Sequence, residues 1–217
     1  MIKRNRKNTK KIVVMQVLPH LNSGGLVSGA VEVAKALYDN NCKSVVVSSG
    51  GFKENELQRY NTILEKLSVH SKNIFTILRN KKRIIDLAIK HNISLIHVRS
   101  RAPAWSAYWA AKELNLPFVT TFHGTYGTKG LFKKKYNSIM LKSNAIIAIS
   151  KFIKKHIEDE YNIKKNIHVI PRGVNVNIFS PKKVSSARLI NAAKKIKIEG
   201  ADKIILLPGR LTSWKGH

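Results

Sequence analysis

The stretch "ISLIHVRSRAPAWSAYWAAKELNLPFVTTF", Ile93–Phe122, decides the fold. Its two ends, Ile93–Val98 and Phe118–Phe122, are short runs rich in apolar and β-branched residues, whereas Ala102–Asn115 between them has helical spacing. Runs that are mostly apolar rather than alternating are typical of parallel strands covered on both faces. The stretch therefore predicts a strand, a crossover helix and a second, parallel strand.

The same alternation continues in both directions along the chain. The repeated order of strand and helix predicts an α/β fold with a Rossmann-like, doubly wound parallel sheet. The further predicted strands are Ile12–Leu18, Ser44–Ser48, Ala145–Ile149, Ile167–Ile170 and Lys203–Leu207, and the further helices are Ser28–Asn40, Glu54–Leu67, Lys81–His91, Gly130–Lys142, Ser150–Tyr161 and Ser185–Ile198.

The rhythm changes near Gly173, where a polar segment with Pro and Gly predicts a domain boundary at Arg172–Ser180. We predict a basic tail (residues 1–11), an N-terminal Rossmann-like domain (12–172), a linker with a helix (173–200) and the start of a second Rossmann-like domain (201–217). The strand predicted in this last part needs sheet neighbours that the sequence does not supply.

The chain is strongly basic, with 40 Lys and Arg residues against 12 Asp and Glu residues and a formal net charge of +28. This excess favours anionic partners such as nucleic acid, membrane surfaces, or phosphorylated and acidic sugars. Lysine, asparagine and isoleucine are abundant together, as AT-rich coding would produce, and the positive residues are scattered over many segments. The charge alone therefore leaves coding bias and an anionic partner equally open.

The N-terminus and the single cysteine bear on the cellular compartment. The apolar stretch Ile12–Leu18 is interrupted by Gln16 and lacks a small-residue cleavage site, so we predict a first strand rather than a signal peptide. Cys42 has no partner for a disulfide, which favours a reducing cytosol. No stretch approaches the ~20 apolar residues of a membrane span. We predict a cytoplasmic protein with at most a peripheral contact at the inner face of a membrane.

Two loops at predicted strand ends carry candidate ligand-binding residues. Gly24 and Gly25 follow the first strand, where backbone N–H groups and a helix N-terminus can contact a phosphate, although a tight turn explains the same glycines. His123 follows the strand Phe118–Phe122 at the sheet edge where doubly wound folds bind ligands. It can exchange hydrogen bonds with a substrate, but a lone loop histidine can equally be structural.

A third loop, "HVRSRAPAW", ends another strand at the same edge. Arg99 and Arg101 suit an acidic or phosphorylated group, and Trp105 suits the face of a sugar. The alternative is a solvated loop with Trp105 packed on its own helix. We take these three residues as candidates for binding an acceptor.

The last segment, "PGRLTSWKG", places Arg210 just after a predicted strand and Lys215 a few residues later. A guanidinium and an ammonium group at a strand end can hold a diphosphate and stabilise it as a leaving group. The one dense acidic spot, Glu158–Glu160, lies on a predicted helix, where adjacent residues point in different directions. We therefore predict a solvated surface there and no metal site.

Taken in order, these pieces resemble the GT-B glycosyltransferases of the large retaining family 4, which includes glycogen, sucrose and lipopolysaccharide-core synthases. The resemblance implies two Rossmann-like domains with a cleft between them, transfer of a sugar from a nucleotide-sugar with retention of configuration, and no metal or other cofactor. The matching segments, which span almost the whole chain, are "NSGG", "VTTFHGTYG", "AIIAISKFIKKHI", "VIPRGVNVNIFSP" and "LLPGRLTSWKGH".

The resemblance also implies individual roles. Gly24 and Gly25 match the family's glycine loop near the donor phosphates, and His123 matches its histidine in contact with the donor sugar. Arg210 and Lys215 match the pair that neutralises the departing diphosphate. The acceptor would be a glycan or a lipid-linked glycan, as in lipopolysaccharide biosynthesis.

Two departures from the family pattern are visible. Arg172 stands where the family usually has asparagine, which changes a local contact. The sequence also ends where the second domain begins, without the paired-glutamate segment and the closing C-terminal helix. We therefore expect a truncated or split form with little activity alone, completed by a separately encoded C-terminal half.

Two alternatives remain at this stage. One is a catalytically inactive remnant of such a gene, or a fragment that only binds the acceptor. The other is a basic nucleic-acid-binding protein, against which the charge is spread over many helices and no nucleic-acid-binding module is visible.

Overall fold

The structure is a computed structural model that describes residues 11–127, 130–163, 166–176, 179–198, 203–205, 207, 209 and 211. The chain divides into two compact units, Met1–Gly173 and Val174–His217. The finer domain bounds expected from the sequence remain predictions.

In the described part of the first unit, seven strands form one parallel sheet in the order β3-β2-β1-β4-β5-β6-β7. The order reverses at β1, so the gap between β1 and β4 is the topological switch point of a doubly wound fold. The predicted Rossmann-like α/β fold is confirmed. The strands are β1 Val13–Val17, β2 Lys43–Ser48, β3 Ile63–Lys66, β4 Leu95–Val98, β5 Phe118–Phe122, β6 Ala145–Ala148 and β7 Ile167–Val169.

Helices connect successive strands, and three of the described helices begin with side-chain caps. The Asn73 side chain accepts hydrogen bonds from the backbone of Phe75 and Thr76, the Ser150 side chain accepts one from Ile153, and the Ser185 side chain accepts one from Arg188. The helices are α1 Gly25–Asp39, α2 Glu54–Gln58, α3 Ile74–Lys90, α4 Arg101–Glu113, α5 Leu131–Asn137, α6 Lys151–Tyr161 and α7 Ser186–Lys195, with 3₁₀ helices at Ser138–Lys142 and Pro181–Lys183.

Four of the described helices end on an asparagine in the left-handed conformation. Asn41, Asn92, Asn115 and Asn162 follow α1, α3, α4 and α6 with φ angles of 57°, 52°, 51° and 47°. Asparagine tolerates this conformation better than most residues with a side chain, although glycine is the usual choice.

Both faces of the sheet are covered by hydrophobic cores. Along β2, Val45 and Val47 belong to one buried cluster while Val46 belongs to another. Successive side chains of a strand point to opposite faces, so this division places one cluster on each side. Burial on both faces explains why these strands read as continuous apolar runs.

The helix predicted at Glu54–Leu67 is wrong. A short helix, α2, occupies its start, Asn61 takes a left-handed φ of 50°, and β3 pairs with β2 along the edge of the sheet. Leu57, Tyr60 and Leu64 are spaced as on a helix, yet they reach the same core cluster from a helix, a turn and a strand. The hydrogen bonding of β3 to β2 therefore determines the structure here, although the apolar residues are spaced as on a helix.

Two other sequence-based bounds also change. Helix α3 begins at Ile74 rather than Lys81, because Asn73 caps it. In the second unit, the strand predicted at Lys203–Leu207 is not formed by the residues described there, 203–205 and 207, which are exposed and outside any strand. A strand needs partners to hydrogen-bond with, and no described strand of this unit supplies one.

Candidate functional site

A cleft of about 150 Å³ opens in the first unit beside the switch point of the sheet. One wall is the start of α1, and the floor is formed where β4, β5 and β6 end. Ligands bind at this position in open α/β sheets. The lining residues are Ser28, Gly29, Glu32, Val33, His97, Arg99, Thr121, His123, Ile147, Ile149, Ile170, Pro171, Arg172 and Gly173.

The glycine loop begins helix α1 three residues earlier than predicted. Gly24 has a φ of 112°, which residues with a side chain rarely adopt, and its carbonyl accepts hydrogen bonds from the N–H groups of Val27 and Ser28. The positive end of α1 therefore faces the edge of the sheet that carries the cleft.

The second glycine, Gly25, makes room for an arginine. A Cβ atom at Gly25 would lie 1.3 Å from Nη1 of Arg172, so the guanidinium occupies the space of the missing side chain. One turn further along α1, a Cβ atom at Gly29 would lie 3.3 Å from Nη1 of Arg99. The two glycines thus form a flat face of the helix against which two guanidinium groups lie.

Arg99 is almost completely buried, with 3% of its surface exposed. Its Nε donates a hydrogen bond of 3.0 Å to Oε1 of Gln16, and Nε2 of Gln16 donates one of 3.1 Å to the carbonyl of Ala30. Its Nη2 has no hydrogen-bond partner among the described residues. Burial, helped by the positive charge of Arg172, lowers the pKa of Arg99 to about 10. It remains a cation at neutral pH.

Two histidines complete the floor of the cleft. Nε2 of His97 lies 2.7 Å from Oγ1 of Thr121. Both ring nitrogens of His123 are buried and have no hydrogen-bond partner among the described residues. Burial, followed by the nearby charges of Arg99 and Arg172, lowers the pKa of His123 to about 3. At neutral pH this ring is uncharged, so it can donate one hydrogen bond and accept another.

Arg101 and Trp105 belong to a different group, which we call the clasp: Arg101, Trp105, Tyr126, Tyr136 and Asn137. Nη1 of Arg101 donates a hydrogen bond of 2.9 Å to Oδ1 of Asn137, and the guanidinium lies 4.3 Å from the ring centroid of Tyr126. Nδ2 of Asn137 donates one of 3.1 Å to the carbonyl of Gly127. The clasp thereby holds Tyr126 and Gly127 in the segment that follows β5.

Trp105 packs on aromatic rings within and beside the clasp. Its ring centroid lies 5.6 Å from that of Trp109 and 6.0 Å from that of Tyr136. Neither Trp105 nor Arg101 is among the described residues that line the cleft. The structure therefore brings Arg99 and His123 together and separates Arg101 and Trp105 from them, and the acceptor-binding role given to these residues remains a prediction.

Two of the predicted site residues, Arg210 and Lys215, lie outside the described residues. In the acidic spot on α6, Glu158 pairs with Lys154 at 3.7 Å. Among the described residues, no group of three or more His, Cys, Asp or Glu side chains could hold a metal ion. No helix in the described ranges is both long and apolar enough to cross a bilayer.

Sequence reasoning missed four residues of the site. Gln16 and His97 are polar residues within otherwise apolar strands, and this is the signal that could have identified them. Arg172 was noted as a departure from the family pattern but not as part of a site. Gly29 gave no signal, because its role depends on where Arg99 lies.

Comparison with known proteins gives a family and a fold. The sequence profile of Glycosyltransferase Family 4 matches residues 23–178, which include the whole lining of the cleft. A crystal structure of a glycosyltransferase from Rickettsia africae ESF-5 has 42% sequence identity and a TM-score of 0.81, and the match covers 95% of this chain and 55% of that one.

More distant proteins share the same fold. The structure of Anabaena Alr3699/HepE in complex with UDP and glucose matches with a TM-score of 0.68 and 15% identity, covering 84% of this chain and 50% of that one. Alpha-monoglucosyldiacylglycerol synthase of Streptococcus pneumoniae is 22% identical over 147 residues, which are 62% of this chain and 33% of that protein. This chain thus spans about half the length of the two solved structures and a third of the synthase. These matches do not favour the nucleic-acid-binding alternative.

Proposed function

Because this chain belongs to Glycosyltransferase Family 4, we propose that it forms the acceptor-side part of an enzyme that transfers a sugar from a nucleotide-sugar to a glycan or lipid-linked acceptor. The observation that carries the proposal is the cleft at the switch point. There an uncharged His123, with both ring nitrogens free for hydrogen bonds, faces the start of α1 within the residues that match the family.

The proposed reaction is the attack of an acceptor hydroxyl on the anomeric carbon of the donor sugar. The acceptor oxygen bonds to that carbon as the bond from the carbon to the diphosphate breaks, and the nucleoside diphosphate leaves with the electron pair and takes up the proton of the acceptor hydroxyl. Arg210 and Lys215 stabilise its charge, the loop at Gly24 and Gly25 lies near its phosphates, and His123 contacts the sugar. We propose that these groups compensate the developing charge without a metal or other cofactor, as the family resemblance implies.

A nucleotide-sugar donor is supported by the Anabaena protein, whose structure holds UDP and glucose in the same fold. A lipid-linked acceptor is supported by the pneumococcal relative, an alpha-monoglucosyldiacylglycerol synthase. The net charge of +28 suits a peripheral contact with an anionic membrane or an acidic glycan such as lipopolysaccharide. We accordingly place the protein at the inner face of a membrane.

The test is a transfer assay with a panel of nucleotide-sugars and lipid and glycan acceptors, read as release of the nucleoside diphosphate. Since the solved relatives are about twice as long, both this chain and the longest reading frame that contains it should be assayed. We expect release that depends on the acceptor and falls by roughly 100-fold in His123→Ala, as on loss of a transition-state contact. His168→Ala, an exposed histidine outside the cleft, is the matched control.

Two outcomes would contradict the proposal. One is the absence of release with every donor in both forms of the protein. The other is equal activity of the His123→Ala and His168→Ala variants.

A further inference from the structure

The flat face of α1 holds two guanidinium groups one helical turn apart. Gly25 and Gly29 are four residues apart, so their positions lie on the same side of the helix, roughly 5–6 Å from each other. Arg172 fills the first position and Arg99 touches the second. Both arginines line the cleft. A group that enters between them meets cationic donors from two directions.

The buried arginine is incompletely satisfied. Gln16 accepts a hydrogen bond from Nε of Arg99 and so fixes the orientation of the guanidinium, while Nη2 has no hydrogen-bond partner among the described residues. A buried donor without a partner costs free energy, and a buried charge without a counterion costs more. An oxyanion in the cleft would supply both the missing acceptor and the missing counterion.

The charges of the described residues that line the cleft do not cancel. Glu32 is the one described carboxylate in the lining of the cleft, and no ion pair among the described residues joins it to Arg99 or Arg172. The two histidines of the lining have lowered pKa values and are neutral at pH 7. Two positive charges against one negative charge leave the cleft with a net positive charge.

From this arrangement we propose that Arg99 and Arg172 form a binding site for an anionic group, a phosphate or a carboxylate, carried by the acceptor sugar. The inference rests on the proposed function and narrows its substrate class to acidic or phosphorylated acceptors. It also assigns a role to Arg172, which brings a second guanidinium to a cleft that already contains a buried one.

The acceptor is a better match for this site than the donor. The proposed partners of the donor diphosphate are Arg210 and Lys215, so that charge is already compensated. The Arg99 and Arg172 pair lies instead among residues of the first unit, beside His123. Because Arg172 also touches Gly25 of the loop proposed to lie near the donor phosphates, UDP is included in the test to separate the two sources of an anion.

The proposal is tested by calorimetric titration of the full chain at constant ionic strength. The ligands are glucose 6-phosphate and glucuronate as anionic sugars, glucose as the neutral sugar, and UDP as the donor fragment. We expect both anionic sugars to bind at least tenfold more tightly than glucose. Arg172→Asn should weaken their binding roughly tenfold, the effect of losing one charge-assisted hydrogen bond, and should leave UDP binding unchanged.

Two further variants separate the site from general charge effects. Arg79→Asn removes the same charge from an exposed position on α3 and should bind like the natural chain. Gly25→Ala keeps both arginines but displaces the Arg172 guanidinium from the face of α1, so it should weaken binding as Arg172→Asn does.

Equal affinity for glucose and its anionic analogues would overturn the proposal, as would equal losses in Arg172→Asn and Arg79→Asn. A loss confined to UDP would assign the site to the donor diphosphate and overturn it too. These measurements require no turnover. Anion binding without any transfer would therefore contradict the proposed function alone, whereas transfer to neutral acceptors only would contradict this inference alone.

Discussion

Arg99 and Arg101 are two residues apart in the sequence, and the structure uses them in opposite ways. Arg101 is engaged in the clasp by a hydrogen bond to Asn137 and by the ring of Tyr126. Arg99 is more deeply buried, yet within the described part of the chain its Nη2 lacks a hydrogen-bond partner. A satisfied arginine stabilises the fold, whereas an unsatisfied buried one stores a cost that a ligand can relieve. The cleft and the clasp should therefore respond differently to acid and to mutation.

Acid should have the largest effect, and it should act on the cleft. The pKa of His123 falls from the ordinary 6.5 to about 3, so between these pH values the unfolded chain binds a proton that the folded chain does not. This contribution is fully present above pH 6.5 and is lost as the pH falls towards 3. The loss is up to about 1.4 kcal/mol per pH unit for each such histidine. Burial lowers the pKa of His97 in the same direction.

This effect can be measured by urea unfolding at pH 7, 6, 5 and 4. The free energy of unfolding should depend less steeply on pH in His123→Asn than in the natural chain, and less steeply again in the double variant that also carries His97→Gln. The pKa values of Glu54 and Glu65 are also lowered, so these carboxylates also make the protein less stable in acid, and the decisive quantity is the difference in slope between the variants and the natural chain. An identical slope of unfolding free energy against pH in the natural chain, His123→Asn and the double variant would contradict the assignment of this effect to the two histidines.

Removal of the clasp arginine should have the next largest effect. Arg101→Met deletes the hydrogen bond to Asn137 and the contact with Tyr126, and we expect the free energy of unfolding to fall by about 2–3 kcal/mol. Urea unfolding followed by tryptophan fluorescence is a suitable measurement, because Trp105 belongs to the clasp and packs on Tyr136. Arg79→Met provides the control. A loss no greater than the control's would show that the clasp does not hold the loop.

The corresponding variant in the cleft, Arg99→Met, should have a smaller effect on stability than Arg101→Met and a larger effect on ligand binding. Arg99→Met removes a buried charge whose hydrogen bonding is incomplete, so the free energy of unfolding should change by less than about 1 kcal/mol. Binding of glucose 6-phosphate should become undetectable, while Arg101→Met should still bind it. If Arg99→Met proves as destabilising as Arg101→Met, the contrast between the two residues fails.

Gly29→Ala should have the smallest effect on stability. The added Cβ would lie 3.3 Å from Nη1 of Arg99, a tight contact, whereas alanine favours the helix by up to about 1 kcal/mol. These contributions oppose each other, so the free energy of unfolding should barely change. Affinity for glucose 6-phosphate should fall severalfold, because Arg99 must shift. Gly124→Ala, where the Cβ meets no atom within 4 Å, is the control.

The sheet could be predicted from the sequence because its strands are buried on both faces. Val45, Val46 and Val47 are apolar in succession for that reason alone. The edge strand β3 could not be predicted in this way. Its side chains are only partly buried, and Leu57, Tyr60 and Leu64 happen to be spaced as on a helix.

The candidate site was predictable only in part. His123 was found because it follows a strand at the ligand-binding edge. The proximity of Arg99 and Arg172 was not predicted, because the two residues follow different strands and meet at one face of α1. Only the packing shows that Gly25 and Gly29 leave room for their guanidinium groups. The separation of Arg101 from Arg99 likewise depends on packing, because Asn137 of α5 and Tyr126 after β5 are the groups that hold Arg101.

The left-handed turns at Asn41, Asn92 and Asn115 bear on the base composition of the gene. Each left-handed turn is a position where glycine would usually stand, and glycine codons begin with two guanines, whereas asparagine codons begin with two adenines. The fold needs only a residue that tolerates a positive φ, so it accepts either codon. These turns are therefore places where base composition can drift towards A and T while the tertiary structure stays the same.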